Sequence, residues 1–228
     1  MSAPDLQAAY VIHSRRYGES GLLADLLTQR SGRVAAVIRG ALKGRRNDRT
    51  AQAFQPLLIA LRGRGEVMTL TRLERDGPPL TMNGRRLYCG LYVNELLMHL
   101  TVREDPCSQV FDDYVAVLHD LAGGVAIETA LRRFEVSLLE HLGIGLALTL
   151  DIEGKPIVPS SRYYYDVSSG ARPVDGEGDD SVAGQTLLAL YHGRLDDERV
   201  LRETRRLMRR VIDFHLGGRA LRSRELFR

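Results

Sequence analysis

The sequence is poor in the features of disulfide-rich, secreted or membrane-spanning proteins. Its two cysteines, Cys89 and Cys107, are too few for a disulfide framework. No apolar run approaches the roughly 18 residues that a membrane span requires, and the N-terminus has no cationic region followed by an apolar stretch. We therefore expect a protein of the reducing cytoplasm with no membrane partner.

Motifs for nucleotide binding, metal binding and acyl transfer are also missing. The chain contains no Walker loop, no GxGxxG after a strand, no HExxH and no GxSxG. Six histidines are scattered, none at metal-ligand spacing. The adjacent acids Asp112-Asp113, Asp179-Asp180 and Asp196-Asp197 are poor candidates for a catalytic pair, because neighbouring helical residues do not face each other. We expect no catalytic residue, metal or cofactor, and we disfavour a magnesium-dependent nuclease, the enzyme alternative.

Charge is plentiful but unevenly distributed, and almost all of the positive charge is arginine, since lysine occurs only at Lys43 and Lys155. Residues 1–78 hold 13 Lys+Arg against 7 Asp+Glu, a net +6. Residues 79–204 hold 11 against 20, a net −9, and residues 205–228 hold 8 against 2, a net +6. This division favours separate surfaces for separate partners, although an arginine-rich genome would also scatter arginine.

The first third of the chain reads as β-structure. Five short apolar or β-branched segments, separated by glycines and polar turns, cover residues 6–13, 21–28, 32–39, 56–62 and 66–73. Five strands in this length fit a small closed barrel, most commonly an OB-fold where nucleic acid is bound, with an SH3-like barrel as the alternative. Asp76-Gly77-Pro78-Pro79 then interrupts both strand and helix patterns, so we place a domain boundary at residue 78.

A cationic, glycine-bearing segment lies between the third and fourth predicted strands. It carries Lys43, Arg45, Arg46 and Arg49 shortly after Arg39. Cations at a barrel rim can neutralise phosphates without reading sequence, so we predict a DNA-binding surface here. The predicted set also includes Arg33, Arg64 and, in the basic tail, Arg219, Arg222 and Arg224. Tyr10 and Tyr17 are candidate stacking faces, although tryptophan is absent and aromatic residues make up only 6% of the chain.

Residues 79–228 show helical periodicity and predict an all-α domain with a small inserted loop or hairpin, giving an α+β protein overall. The predicted apolar faces include Leu87, Leu91, Leu96, Leu97 and Leu100 in one helix. A second runs from Val110 to Leu121, a third from Leu131 to Leu142 and a last from Val200 to Ile212. We expect residues 151–178, rich in Gly, Pro, Ser and Tyr, to form the insertion, and Asp179-Asp180-Ser181 to cap the short helix that follows.

The third predicted helix places two arginines, Arg132 and Arg133, beside the apolar Leu131 and Phe134. They can face solvent or pair with nearby glutamates, or they can capture a carboxylate or an acidic peptide, for which the planar guanidinium is well suited. The pattern leaves both interpretations open.

Several short motifs, in this order and spacing, resemble the RecO family of bacterial recombination mediators over essentially the whole chain. They are VIHSR (11–15), YGES (17–20), SGRV (31–34), RGA (39–41), GRGEV (63–67), GLYVNELL (90–97), LRRFE (131–135), LGG (216–218) and LRSRELF (221–227). Each is weak alone, and their combination across two domains makes the resemblance.

The resemblance implies an OB-fold over residues 1–78 and a helical partner-binding domain over 79–228. It implies a non-enzymatic, nucleoid-associated protein that binds single- and double-stranded DNA and anneals strands. Such proteins bind the acidic C-terminal tail of single-stranded DNA-binding protein (SSB) and act with RecR to load recombinase. In this family the helix matching residues 131–135 contributes to the SSB-tail pocket, so Arg132 inherits the role of the cation, with Leu131, Arg133 and Phe134 around it.

One departure from the family concerns zinc. Some relatives carry a cysteine zinc site in the insertion, but residues 151–178 here contain neither cysteine nor histidine, so we expect no metal. A protein-only adaptor that binds the SSB tail without contacting DNA remains the alternative function.

Overall fold

A computed structural model describes residues 5–41, 51–63, 65–176, 178 and 180–227. The chain divides into two compact units. The first comprises Met1–Gly123 together with Leu221–Arg228, and the second comprises Gly124–Ala220.

Five strands at the N-terminus form a closed barrel in the order β1-β2-β3-β5-β4. β3 pairs with β5 in parallel, whereas the other neighbours are antiparallel. A simple meander would not join β3 to β5, so this order identifies the OB-fold and sets aside the SH3-like alternative. The strands are β1 (Gln7–Tyr17), β2 (Gly21–Thr28), β3 (Gly32–Ile38), β4 (Leu57–Arg62) and β5 (Met68–Arg75).

The barrel interior is filled by small and branched side chains from all strands but β5, whose apolar residues are only partly buried. Leu26, Leu57 and Ile59 are among its fully buried members, and Ala24 and Ala36 leave room for them across the barrel. The predicted alternation therefore holds where strands cross the core. β1 runs longer than predicted, because its outer half continues to pair with β2 after leaving the core.

Two helices complete the core of the first unit: α1 (Arg85–Leu100) and α2 (Ser108–Gly123). The predicted apolar face of α2 is confirmed, with Tyr114 fully buried. In α1 the predicted leucine face is wrong at three positions, because Leu87, Leu91 and Leu100 lie at its margin. Residues at i, i+3, i+4, i+7 and i+8 from Cys89 occupy the buried stripe instead. They are Cys89, Tyr92, Val93, Leu96 and Leu97.

The strands end just before the predicted boundary at residue 78, yet the compact division falls between residues 123 and 124. α1 and α2 stay with the barrel because Tyr10 of β1 packs edge-on against Tyr114, with ring centroids 5.3 Å apart. Tyr114 in turn donates a hydrogen bond to Asn94 of α1 at 2.8 Å. The C-terminal 3₁₀ helix, Arg222–Phe227, also returns to this unit and contacts α1.

The second unit combines helices with a small sheet. Its elements are α3 (Ile127–His141), β6 (Arg162–Asp166), β7 (Gly170–Val174), β8 (Ser181–Ala183), α4 (Gly184–Tyr191) and α5 (Glu198–His215). The predicted insertion is a β6–β7 hairpin to which β8 adds a third strand in the order β7-β6-β8. The predicted cap of α4 is wrong, since Ser181 belongs to β8 and the N-cap residue Ala183 has no side-chain bond.

Candidate nucleic-acid interface and partner-binding helix

Strand register places arginines from three parts of the barrel at one end. On one side, Arg16 of β1 pairs with Leu22, which pairs with Ile38 beside Arg39. On the other side, Val37 pairs with Thr69, which pairs with Arg62 at the end of β4. Because paired residues sit about 5 Å apart across a sheet, these side chains share one rim. We call Arg15, Arg16, Arg39 and Arg62 the arginine rim.

The arginine rim is available to a ligand. All four side chains are exposed, and none forms an ion pair with any described residue. Tyr17, 54% exposed, lies in the same β1–β2 hairpin. Tyr10, the other stacking candidate, was a wrong prediction, because it is only 5% exposed and packs in the core.

Sequence reasoning found Arg39 but missed Arg15, Arg16 and Arg62. They flank the two hairpin turns at this end, a signal that was visible once the strands were paired. The predicted Lys43, Arg45, Arg46, Arg49 and Arg64 lie outside the described residues. The segment that carries the first four of them follows Ala41, which packs on the barrel beyond Arg39.

Arg33 has a different environment, at the opposite end of β3. Its guanidinium forms an ion pair with the buried Asp25 at 3.3 Å and donates hydrogen bonds to Thr101 Oγ1 at 3.0 Å and Thr101 O at 2.8 Å. Arg103 contacts the same carboxylate at 2.9 Å. Burial is the main cause that lowers the pKa of Arg33. This arginine thus links the barrel to the α1–α2 connection and is not part of the arginine rim.

The predicted basic tail is anchored by two backbone amides and the Ser223 hydroxyl. Glu95 of α1 accepts hydrogen bonds from Arg222 N at 2.8 Å, Ser223 N at 2.9 Å and Ser223 Oγ at 2.5 Å. The Arg222 side chain is exposed, and so is Arg219, which belongs to the second unit. The tail is therefore held by an acid of the α1 helix through amides and a hydroxyl group.

The two neighbouring arginines of helix α3 lie in different environments. Leu131 and Phe134 are buried, and Arg132 is only 6% exposed. Arg132 Nη2 contacts Glu135 Oε1 at 2.6 Å, and its Nε has no hydrogen-bond partner among the described atoms. Arg133 faces solvent and makes one long hydrogen bond to Gly193 O at 3.4 Å. The assignment of the acidic-peptide role to Arg132 stays a prediction, and Arg133, also in the predicted set, is the exposed one of the two arginines.

Comparison with known proteins places these two units in one family. The family described as Recombination protein O N terminal matches residues 1–75, and Recombination protein O C terminal matches residues 82–225. DNA repair protein RecO of Methylococcus capsulatus is 45% identical over 225 residues, covering 98% of this chain and 93% of the relative. Those of Halorhodospira halophila and Pseudomonas aeruginosa are each 44% identical over all of this chain, with 98% and 96% of the relative covered.

The chain belongs to the RecO family. Its role therefore lies in DNA repair and recombination, as the sequence resemblance implied. The two RecO family regions meet near the predicted boundary at residue 78, although packing keeps α1 and α2 with the barrel.

The chemistry available to this RecO protein lies in its arginines. Across the described ranges, no three His, Cys, Asp or Glu side chains come together as metal ligands. The same part of the chain contains no helix long and apolar enough to span a membrane. Cys89 is buried and Cys107 partly buried, both as free thiols. What the site offers is fixed positive charge for phosphates and carboxylates.

Proposed function

We propose that this RecO-family chain is a non-catalytic recombination mediator that binds and anneals single-stranded DNA and engages SSB and RecR to load recombinase. The observation that supports it most directly is the arginine rim on an OB-fold. Exposed guanidinium groups from two hairpins and the end of β3 present several donors to consecutive phosphates.

A rim of this kind suits annealing. Phosphate contacts hold a strand without occupying its Watson–Crick edges, so a second strand can pair with the bound one. The binding energy comes largely from counterion release and needs no nucleotide. We therefore expect annealing to proceed without ATP and in the presence of EDTA. A requirement for either ATP or a metal would contradict the proposal.

The test removes the rim and leaves the rest of the barrel. For a labelled oligothymidylate, Arg16→Ala/Arg39→Ala/Arg62→Ala should make the plot of log affinity against log salt concentration less steep by about 2, since each single-strand phosphate contact contributes about 0.7 to its steepness. Arg30→Ala is a single-charge control, because Arg30 lies in the β2–β3 turn at the other end of the barrel, where it pairs with the exposed Asp5 and donates a hydrogen bond to Leu6 O at 2.9 Å. An unchanged slope in the triple variant would move DNA binding elsewhere and favour the protein-only adaptor.

Binding of the SSB tail is tested on α3. Charge-assisted hydrogen bonds to a carboxylate contribute roughly 1.5–3 kcal/mol, so Arg132→Ala should weaken the binding of a synthetic tail peptide, measured by calorimetry, about 10-fold to 100-fold. Arg132→Lys should restore only part of the affinity, because lysine lacks the bidentate fork. A loss confined to Arg133→Ala would transfer the role to the exposed neighbour.

The burial of Arg132 requires a folding control. Its removal leaves Glu135 as a buried acid without its arginine, which can destabilise α3 independently of any ligand. The double variant Arg132→Gln/Glu135→Gln removes both charges together. If urea unfolding shows that this double variant is more stable than Arg132→Ala, and it still fails to bind the peptide, the loss of peptide binding is due to the loss of Arg132. Gel filtration with RecR then tests whether the same variants keep that partner.

A further inference from the structure

A second basic surface lies in the second unit, on α5 and the small sheet. α5 carries six arginines, at 199, 202, 205, 206, 209 and 210, which fall within one side of the helix. The opposite side is buried and includes Leu207, Met208 and Val211. Between Arg199 and Arg210 the helix rises about 16 Å, enough to span several phosphates of a nucleic acid.

The sheet beside α5 adds an aromatic ring and another arginine. Tyr163 and Tyr165 of β6 are buried, so Tyr164 points to the other face and is 42% exposed. Arg172 of β7 pairs directly with Tyr164 and is exposed. The guanidinium of Arg210 lies over the Tyr164 ring, 5.6 Å from its centroid.

These contacts orient one cation and leave its neighbours exposed. Arg210 is fixed by the Tyr164 ring and by Asp180, whose carboxylate lies 3.3 Å away. Arg206, one turn before Arg210 on the same helix, and Arg209, the residue before it, are both exposed. A cleft of about 310 Å³ opens at these three arginines.

Three acids line the cleft beside the three arginines, namely Glu203, Asp180 and Asp213. Glu203 is buried and already accepts from Arg162 at 2.8 Å, Ala183 N at 2.9 Å and Thr186 at 2.7 Å. Asp180 is 73% exposed and Asp213 is also exposed. Because exposed ion pairs contribute only about 0–1 kcal/mol, a phosphate can compete with either acid for the arginines of the cleft.

We propose that Arg206, Arg209 and Arg210, with Arg172 beside Tyr164, form a second nucleic-acid contact that binds the phosphodiester backbone. The inference rests on the DNA-binding function proposed above and adds a site outside the barrel. An acidic peptide fits less well, because the apolar residues that line the cleft, Val182 and Leu207, are buried and offer no anchor for an apolar side chain.

The test measures salt-dependent binding of labelled oligothymidylate to the full chain by fluorescence anisotropy. Arg206→Ala/Arg209→Ala should lower the salt slope by about 1.4 and the affinity about 25-fold at about 0.1 M salt, since each single-strand contact contributes about 0.7 to the slope. Arg209→Ala alone should lower the salt slope by about 0.7. Arg194→Ala removes one charge at an exposed arginine in the turn after α4, and it should leave the slope and the affinity unchanged. Circular dichroism checks that the variants fold.

The outcomes separate the two proposals. If the α5 double variant binds like the wild type while the arginine-rim variant is impaired, the second contact is refuted and the rim stands. A loss in the α5 variant alone supports the second contact and moves DNA binding away from the rim. If neither variant changes DNA binding, both proposals fail. If the α5 variant loses an acidic peptide but keeps DNA, the face is a peptide site and the inference is overturned.

Discussion

Glu95 offers a sharp test of how the C-terminal segment is held. Its two carboxylate oxygens accept three hydrogen bonds from Arg222 and Ser223, and both Leu221 and Ser223 are buried against the first unit. Glu95→Gln keeps the shape of the side chain, but it replaces one accepting oxygen with an NH₂ group that faces a donor. The variant should therefore release the 3₁₀ helix from α1 while the barrel remains folded.

The expected size follows from the bonds that glutamine cannot make. Hydrogen bonds to a charged group contribute roughly 1.5–3 kcal/mol each. Glutamine loses one or two of the three, and Glu95 is partly exposed, so the docking free energy should fall by about 2–3 kcal/mol. Because 1.4 kcal/mol is a factor of ten, the population of the open tail should rise about 30-fold to 150-fold.

Trypsin reports this opening, because the docked segment contains Arg222 and Arg224. When opening is fast relative to cleavage, the cleavage rate follows the open population. Ser223→Ala removes only the hydroxyl bond and should accelerate cleavage about 5-fold, from a loss of about 1 kcal/mol. Glu66→Gln, an equal charge change at an exposed barrel turn, is the control. Equal cleavage rates for the wild type and Glu95→Gln at neutral pH would refute the clamp.

The clamp should also depend on pH. Burial alone raises the pKa of Glu95, but the bonds from Ser223 and Arg222 and the nearby His99 outweigh it, so the folded pKa lies below the ordinary 4.5. A depressed pKa stabilises the docked tail above the unfolded value, and that stabilisation disappears as pH falls through the folded value. The difference in tail docking between wild type and Glu95→Gln, followed by the NMR signals of the Arg222 and Ser223 amides instead of by trypsin, should therefore shrink as pH falls below 4.5.

Three further experiments test other parts of the structure. Arg33→Ala should destabilise the first unit by about 2–3 kcal/mol in urea and leave the DNA salt slope unchanged, because Asp25 loses one of its two arginines and keeps Arg103 and a 3.9 Å contact with His13. A changed slope with normal stability would support Arg33 as a DNA-binding residue. Gly32→Ala should lower the free energy of unfolding by more than about 2 kcal/mol, since Gly32 has a φ of +62° and a Cβ there would lie 2.1 Å from Asp105 O. Gly40 has a φ of +70° but open space around it, so Gly40→Ala should lower the free energy of unfolding by about 1 kcal/mol. Equal losses of stability in the two variants would contradict the close contact at Gly32. Hydrogen bonds from Ser168 and Ser169 lower the pKa of Asp166 to about 2. These bonds should therefore hold the turn at pH values above the ordinary pKa of 3.8 and release it as the pH falls towards 2. An NMR titration of the carboxyl group with a midpoint near 3.8, or one whose midpoint does not rise in Ser168→Ala/Ser169→Ala, would exclude these bonds.

The barrel was predictable because its signals are local. Glycine turns separate short strands, and only the strand order needed the family resemblance to favour an OB-fold. The face of α1 was not predictable from its leucines, because Cys89, Tyr92 and Val93 belong to its buried stripe. Helical periodicity finds a face, but it cannot choose between two adjacent faces when both are apolar.

The binding surface was harder to predict, because it depends on register. Arg16 and Arg62 are 46 positions apart, and nothing local relates them. They come to one rim only through the parallel β3–β5 pairing, a tertiary contact that the pattern did not contain. Arg39, next to an obvious cationic segment, could be found from composition alone.

Net charge by segment could not separate arginines that bind ligands from arginines that hold the fold. Arg33, Arg132 and Arg162 each contact a buried carboxylate, on Asp25, Glu135 and Glu203 respectively. Removing one of these arginines leaves a buried charge, and that loss destabilises the fold whether or not a ligand exists. Removing an exposed arginine such as Arg39 or Arg209 leaves no such charge, so a change in DNA binding can be assigned to the lost contact. In this arginine-rich chain, burial of the paired acid decides which substitutions report on function.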